Sequence, residues 1–434
     1  MADKVITRFP PSPTGHLHIG GVRTALFNYL FAAHNEGQML LRFEDTDRER
    51  SKPEFEKDIV DGLAWLGIPY MLAENPRQSE RLEIYQPYVA RLITEGHAYE
   101  AEESENTPGK KVVRFKNPNK AVTFHDAVRG AVTFDTTELG DFVIARTIDE
   151  PLYHLAVVID DHDMRVTHVI RGEDHLSNTQ RQILIIEALG FMLPEYAHIP
   201  LILALDKTKL SKRHGAVSVN EYRAQGFIPE AFLNYLALLG WNPGGEKEVY
   251  SLEELVREFT LDRVHKAGAV FDIEKLKWFN HEHLKKLSDT EYAARLKEFS
   301  EKDADARLVP LLKERAQTLK EAATILEGEL DFFGSISYEP ALLLQGGKIT
   351  AEIASNHLKT LSEMLQHIPD EGFTAAQLKS IVWPYATAQG RGDVLWPLRV
   401  ALCGKEKSPD PFTLCELLGK ARTLERIAQA VKNL

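Results

Sequence analysis

Cysteine is nearly absent: only Cys403 and Cys415 occur in 434 residues. That excludes a disulfide-stapled scaffold and points to a reducing compartment. Long apolar runs are missing too. The most apolar mid-chain stretch, residues 183–193, is short and interrupted by Glu187. A membrane-crossing helix needs about 20 such residues, so a buried helix is expected there and no membrane partner. Residues 1–6 lead straight into a strand-like run without an apolar leader, so no targeting signal is expected and the compartment is read as cytoplasmic. Basic charge is in deficit, with 52 Lys and Arg against 64 Asp and Glu and a formal net charge of −12. Taken whole, that balance argues against a nucleic-acid partner, because phosphate binding needs clustered cations. The phosphate-binding patterns G-x-x-x-x-G-K-[ST] and G-x-G-x-x-G are both absent.

What is present is an ordinary globular composition, 44% apolar and 27% charged, over a length that suggests about three domains. The first 50 residues read as strand, loop, helix, strand. Val5 to Phe9 is ended by Pro10, Pro11 and Pro13, and Val22, Ala25, Leu26, Tyr29, Leu30 and Ala33 follow at helical spacing. Met39 to Phe43 supplies the next strand, with a parallel right-handed crossover as the default. Ser51 and Glu54 suggest a capping box for a second helix, and a third is expected over 79–95. Short alternating runs over 112–147 point to an antiparallel insertion. Strands are expected at 152–159, 166–170 and 200–205, with a helix at 177–189. Beyond about residue 225, leucine stripes such as Leu233, Leu236, Leu239 and Leu308, Leu311, Leu312 predict an all-helical half, with a boundary near 270–310.

Three segments carry chemistry. His16 and His18 lie in a turn bounded by Gly15, Gly20 and Gly21, after a strand and at an expected helix N-terminus. That is where open α/β sheets bind anions, although a solvated surface loop has the same composition. Lys207, Lys209, Lys212 and Arg213 crowd into seven residues. Such a run is either solvated surface or a loop that folds over phosphates. Glu44, Asp45 and Asp47 end a strand, a cluster that serves a metal, a ribose, an ammonium group or simple helix capping.

Together, the string RFPPSPTGHLHIGG and the string KLSKRHGAVSV, about 190 residues later, resemble the HIGH and KMSKS signatures of class I aminoacyl-tRNA synthetases. With LRFEDTD, VIRGEDH and PLRVALCG in the same order, the resemblance is to the bacterial glutamyl branch of that family and covers nearly the whole chain. It implies an α/β fold: a Rossmann-like nucleotide-binding domain with a mixed insertion, followed by an all-helical anticodon-binding half. The expected segments are 1–95 and 151–225 for the two catalytic halves and 96–150 for an acceptor-binding insertion. A helical stem-contact domain at 226–305 and an anticodon-binding domain at 306–434 would follow.

The reaction implied is activation of L-glutamate by ATP, with Mg²⁺ accompanying the nucleotide, then transfer to the terminal adenosine of tRNA(Glu). A carboxylate is already ionised at pH 7, so positioning and charge stabilisation suffice and no general base is required. By the resemblance, His16, His18, Lys209 and Lys212 are catalytic. Gly20, Gly21, Glu173, Asp174 and Lys212 meet ATP, and Arg8, Ser12, Glu44, Tyr153 and Arg171 meet glutamate. Gly21 stands where the general motif has its second histidine, as is usual for glutamyl enzymes. Many relatives carry a Cys/His zinc cluster in the insertion; here that region has no cysteine, and no zinc or other metal site is expected.

The charge objection weakens once it is resolved along the chain. Residues 301–434 carry 16 basic and 18 acidic side chains, and residues 391–434 carry 8 and 5. Lys405, Lys407, Arg422 and Arg426 are therefore the expected tRNA contacts, with the protein working as a monomer. Glutaminyl enzymes share the first domain, but their anticodon-binding part is β-rich. A catalytically altered paralogue serving as an RNA-binding or regulatory protein is the alternative, and it should have lost parts of motifs that are intact here.

Overall fold

The structure is a computed structural model and describes residues 4–103, 110–210, 213, 218–328, 330–334 and 336–434. The chain parts into two compact units, Met1–His283 and Leu284–Leu434.

The first unit begins with β1 (Ile6–Phe9), α1 (Ile19–His34) and β2 (Gln38–Phe43), and β1 and β2 are parallel with Arg8 opposite Leu40. Val22, Ala25, Leu26 and Leu30 form the buried face of α1. The return into β2 requires Gly37, because a Cβ there would lie 2.2 Å from the Val5 carbonyl oxygen. α2 (Pro53–Leu66) and β3 (Met71–Arg77) complete a parallel sheet in the order β1-β2-β3. The capping box expected at Ser51 does not form: the N-cap is Lys52, without a side-chain cap. The Ser51 amide is drawn into a turn on the Asp47 carbonyl at 3.0 Å, one position too early to cap.

After α3 (Leu82–Thr94) come β4 (Ala98–Glu102), β5 (Lys111–Phe115), β6 (Ala121–Asp126), β7 (Gly130–Asp135), β8 (Phe142–Thr147) and β9 (Glu150–Pro151). β4, β5, β8 and β9 form an antiparallel sheet, and β6 and β7 form a hairpin. The chain continues through α4 (Tyr153–Asp163), β10 (His168–Gly172), α5 (Leu176–Ala188) and β11 (Glu195–Ile199). β10 and β11 are parallel, and β6 joins β11 where Tyr196 faces Asp126, so the hairpin extends this sheet. The Thr167 amide bonds the Ile6 carbonyl at 2.9 Å, tying the second sheet to β1.

Residues 152–159, expected as a strand, belong to helix α4. Leu155 to Ile159 are all buried, and a run buried on every side shows neither the period of a helix nor that of a strand. The expected strand at 200–205 shrinks to β12 (Ile202–Leu203), because the Ala204 amide closes a turn on Thr208 at 2.8 Å. α6 (Val219–Ala224), α7 (Pro229–Leu238), α8 (Leu252–Glu258), β13 (Ala269–Val270) and α9 (Ile273–Lys286) follow, with β13 parallel to β12. Capping boxes appear at Ser218/Glu221 and Ser251/Glu254. One apolar core joins Phe9, Val22 and Leu26 to Phe232, Leu236, Trp241 and Phe279. A second joins Tyr85, Val113 and Phe124 to Leu155 and Ile183.

The second unit is helical: α10 (Asp289–Ser300), α11 (Val309–Arg315), α12 (Leu319–Gly328), α13 (Ala351–Gln366), α14 (Ala375–Gln389), α15 (Arg391–Cys403), α16 (Pro411–Leu418) and α17 (Lys420–Asn433). α13 packs on both α15 and α17. Cys403 and Cys415 are buried and unpaired. Among the described residues, no helix is long and apolar enough to cross a membrane.

Gly37→Ala is expected to destabilise the first unit by about 1–3 kcal/mol, since a backbone carbonyl must yield to the new methyl group. Gly15→Ala, where a Cβ meets nothing within 4 Å, should cost under about 0.5 kcal/mol. Urea unfolding followed by circular dichroism checks both.

Candidate active site

A cavity of about 780 Å³ opens at the carboxyl ends of β1 and β10, against the N-terminus of α1. His18 is the N-cap of α1, and its Nδ1 accepts from the Gly21 amide at 3.2 Å. That bond leaves Nε2 to carry the ring proton. A Cβ on Gly20 would come within 3.0 Å of the His18 ring, so glycine there keeps the imidazole in place. Desolvation, then Lys209, lowers the His18 pKa, with Asp174 acting the other way. His16 is exposed and bonds Asp58 at 2.9 Å. Asp58 also takes the Leu17 amide at 2.8 Å and Asn220 at 2.7 Å.

The basic segment comes back to the same place. Residues 202–210 double back, with the Leu210 amide on the Ile202 carbonyl at 3.0 Å. Lys209 lines the cavity and pairs with Asp174 at 2.9 Å. Burial most strongly opposes ionisation of Asp174, but the bond and charge of Lys209 together with nearby His175 hold the carboxyl below its usual range. His18 forms a backbone bridge with Ser218, just past the basic run. Lys212 lies outside the described residues.

At the other end of the cavity two buried arginines converge. Arg8 donates from Nε to Asp161 at 3.3 Å, and its buried Nη1 has no partner among the described residues. Arg171 donates to His198 at 3.1 Å and Thr179 at 2.8 Å, and it lies over the Tyr196 ring at 5.5 Å. Glu44 is buried against Arg42 at 3.2 Å; burial raises its pKa and Arg42 partly offsets this. Tyr153 meets His175 at 3.0 Å. A cationic wall with one buried carboxylate suits a molecule that carries carboxylates and an ammonium group.

Not every expected residue reaches the cavity. Arg8, Glu44, Tyr153 and Arg171 line it together with His16, His18, Gly20, Gly21, Asp174 and Lys209. Ser12 is exposed and outside the lining. Glu173 turns away, pairing with Arg129 and taking the Leu201 amide at 2.8 Å. Asp45 is consumed by the Ser79 amide at 2.8 Å, and Asp47 pairs with Arg50 at 2.6 Å, so Glu44 alone of that cluster faces in.

In the second unit, Lys407 and Arg422 are exposed and Lys405 is half-buried. Arg426 corrects the expectation of a surface contact. It is buried, and its guanidinium donates to the carbonyls of Leu402, Phe332 and Gly334. A guanidinium spent on three carbonyls anchors the middle of α17 and has little left for a phosphate. Sequence reasoning also passed over a cavity of about 410 Å³ lined by Trp383, Trp396, Phe412, Lys379, Arg391 and Arg399. Arg391 lies 4.6 Å and Lys379 5.1 Å from the Trp383 ring centre, and the buried Arg399 Nε has no partner among the described residues.

Comparison with known proteins agrees with this geometry. The model for "tRNA synthetases class I (E and Q), catalytic domain" matches residues 4–107 and 100–278, and an "Anticodon binding domain" model matches 273–431. The glutamate–tRNA ligase of Carboxydothermus hydrogenoformans is 41% identical, over 98% of this chain and 99% of the relative. The chain belongs to the glutamate–tRNA ligase family. The enzyme of Thermodesulfovibrio yellowstonii, another member, is 40% identical over 98% of this chain and 99% of its own length. A crystal structure of the Elizabethkingia meningosepticum ligase in complex with its amino acid superposes with a TM-score of 0.86 at 34% identity, covering 99% of both chains. That of Elizabethkingia anophelis gives 0.81 at 34%, covering 99% and 100%.

Among the described residues, no group of three or more His, Cys, Asp and Glu is placed to hold a metal ion. The support residues Asp58, Asp161, Asp126 and His198 had no motif to announce them; the paired Asp160-Asp161 in an otherwise apolar run was the one available signal.

His154 and His175 set an acid limit. Burial first, then Arg181 for His154 and Arg171 for His175, lowers both pKa values from 6.5 to about 4. The unfolded chain therefore binds protons that the native state refuses, and stability must fall as pH drops from 6.5 towards 4. Urea midpoints measured across that range should decline, and the His154→Gln/His175→Asn double variant should show a shallower slope.

Proposed function

We propose that this chain activates L-glutamate with ATP and transfers it to the terminal adenosine of tRNA(Glu). The observation that carries the reading is the convergence of Arg8, Arg171 and Glu44 at one end of the cavity, with His18 and Lys209 at the other. Among the described residues Arg8 Nη1 has no partner, and a substrate carboxylate supplies one; Glu44 takes the ammonium. Arginine grips a carboxylate with charge-assisted bonds that a neutral amide cannot match, so glutamate is preferred over glutamine.

ATP lies against the α1 N-terminus, where Gly20 and Gly21 leave room for phosphates and the His18 Nε2–H donates to them. Asp174 and Lys209 flank the nucleotide, and Glu173 acts there only through its hold on Leu201. Mg²⁺ accompanying the nucleotide would neutralise part of the phosphate charge. The glutamate carboxylate, already ionised, attacks the α-phosphorus and pyrophosphate leaves. Lys209, together with Lys212 three residues on in sequence, stabilises the charge that builds on the leaving group. The ribose hydroxyl of tRNA then takes the acyl group and AMP departs.

Segments 1–95 and 151–225 form the catalytic halves, 96–150 the acceptor-binding insertion, 226–305 the stem contact and 306–434 the anticodon-binding part, in a monomeric cytoplasmic enzyme. Lys405, Lys407 and Arg422 contribute phosphate contacts. The Trp383 platform with Lys379 and Arg391 receives an unstacked base, because stacking between rings and cations is how proteins hold single-stranded RNA.

Two substitutions test this in a tRNA-charging assay. Arg8→Ala should raise KM for glutamate roughly 10- to 100-fold, the worth of one buried charged bond, and leave KM for tRNA unchanged. Trp383→Ala should raise KM for tRNA about tenfold and leave KM for glutamate unchanged. An Arg8 variant with undiminished use of glutamate overturns the reading.

A further inference from the structure

Arg171 is held differently from Arg8. The Arg8 Nε donates to a carboxylate, Asp161, whereas the Arg171 Nε donates to an imidazole nitrogen, His198 Nε2, at 3.1 Å. The other His198 nitrogen, Nδ1, lies 2.6 Å from Asp126 Oδ2, and both side chains are fully buried. Asp126 Oδ1 is committed elsewhere, taking the Val128 amide at 3.0 Å and the Arg129 amide at 2.8 Å.

These contacts fix the protons. An arginine Nε–H can only donate, so His198 Nε2 must be a bare acceptor and the ring proton must sit on Nδ1, facing Asp126. Burial, followed by Arg171, keeps His198 from gaining a second proton, against the pull of Asp126. Burial opposes ionisation of Asp126, but the bonds from His198 and the Arg129 amide prevail and hold it ionised. The imidazole thus gives Arg171 a directional acceptor that carries no negative charge of its own. The Arg171 guanidinium stays oriented while its charge remains available to the cavity.

We propose that the Asp126–His198 pair is a positioning and specificity device, which fixes the tautomer that aims Arg171 at a carboxylate side chain and favours glutamate over glutamine. It rests on the reading of Arg171 as a glutamate-binding residue. The decisive variant is Asp126→Asn. Asp126 also takes the His198 amide, at 3.1 Å on Oδ2 and 3.3 Å on Oδ1. In the variant the carbonyl oxygen would stay on the Val128 and Arg129 amides and keep the His198 amide, so the NH2 would face His198 Nδ1. The ring proton would move to Nε2 and turn to the Thr179 hydroxyl 3.1 Å away, leaving the Arg171 Nε–H without its acceptor, the logic by which an Asp→Asn change in a catalytic triad enforces the wrong tautomer.

The test is tRNA charging by the full chain with glutamate and glutamine as competing substrates at saturating ATP. The ratio of the two kcat/KM values does not depend on how much enzyme is active, so a partly unfolded preparation leaves it unmoved. Asp126→Asn is expected to raise KM for glutamate about tenfold or more and to lower the preference over glutamine similarly, with KM for ATP within about twofold. His198→Gln, whose carbonyl can accept from Arg171 while its NH2 turns to Asp126, should shift these values by about threefold or less. A packing role predicts the opposite order, since Asp→Asn is isosteric and His→Gln is not. The proposal is overturned if Asp126→Asn changes neither KM nor preference, or if His198→Gln is as damaging. Arg171→Ala in the same assay separates the two levels. If it abolishes use of glutamate while Asp126→Asn is silent, only the tautomer device fails; if it is itself silent, the assignment of the site fails with it.

Discussion

A guanidinium with no access to solvent, Arg42, underlies the cavity, and the first unit is arranged around compensating it. Its partners are Asp161 at 2.9 Å, Glu44 at 3.2 Å and Asp160 at 3.6 Å. Asp161 is shared with Arg8, and Asp160 with Arg81 at 2.8 Å. Tyr85 and Gln78 complete the shell of Asp160 at 2.9 Å and 2.8 Å. Charges taken this far from water cost several kcal/mol each unless paired and hydrogen-bonded, and removing one partner leaves the others exposed to that cost. The charged floor of the site is therefore held in place before any substrate arrives, as preorganised recognition requires.

The charges also balance in a telling way. Within that network Arg8, Arg42 and Arg81 face Asp160, Asp161, Asp163 and Glu44, so Arg8 and Glu44 offer directional bonds rather than a net positive field. Arg171 stands outside it, backed by a neutral imidazole. Glutamate at pH 7 carries one net negative charge and glutamine none. Arg171, whose nearest acceptor is the imidazole and whose nearest carboxylate in that chain of bonds, Asp126, lies beyond it, is the cation left to meet the charge that separates the two amino acids.

A second dependence joins the loops at the phosphate end. Asp58, from α2, holds the His16 ring, the Leu17 amide and Asn220 together. The Val219 amide adds a bond to the Leu17 carbonyl at 3.0 Å. The histidine turn and the exit of the basic run are in this way one structural piece, which is why two motifs about 190 residues apart in sequence face one cavity. The turn itself was legible, because proline and glycine punctuate it and the helix after it has a clean apolar stripe. Asp58 was not, since one aspartate on a helix surface looks like any other. The Asp126–His198 pair was equally hidden: its members are 72 residues apart and meet only because the hairpin β6–β7 extends the sheet beside β11. Helix α4 was misread for the opposite reason, too much burial rather than too little signal.

Charge along the second unit shows the limit of composition as a guide to RNA binding. Arg426 contributes to the basic count of the last 44 residues, yet its donors are spent on carbonyls inside the helical core. Lys379 lies outside that count and Arg391 adds only one to it, but both sit against one half-buried indole. A cation held on a ring loses little conformational freedom when a base stacks beside it, whereas an exposed lysine must be ordered at a cost of up to about 2 kcal/mol. Affinity for single-stranded RNA should therefore concentrate where aromatic and basic residues share a pocket, and the net charge of −12 then sets only how weakly the remaining surface attracts RNA at random.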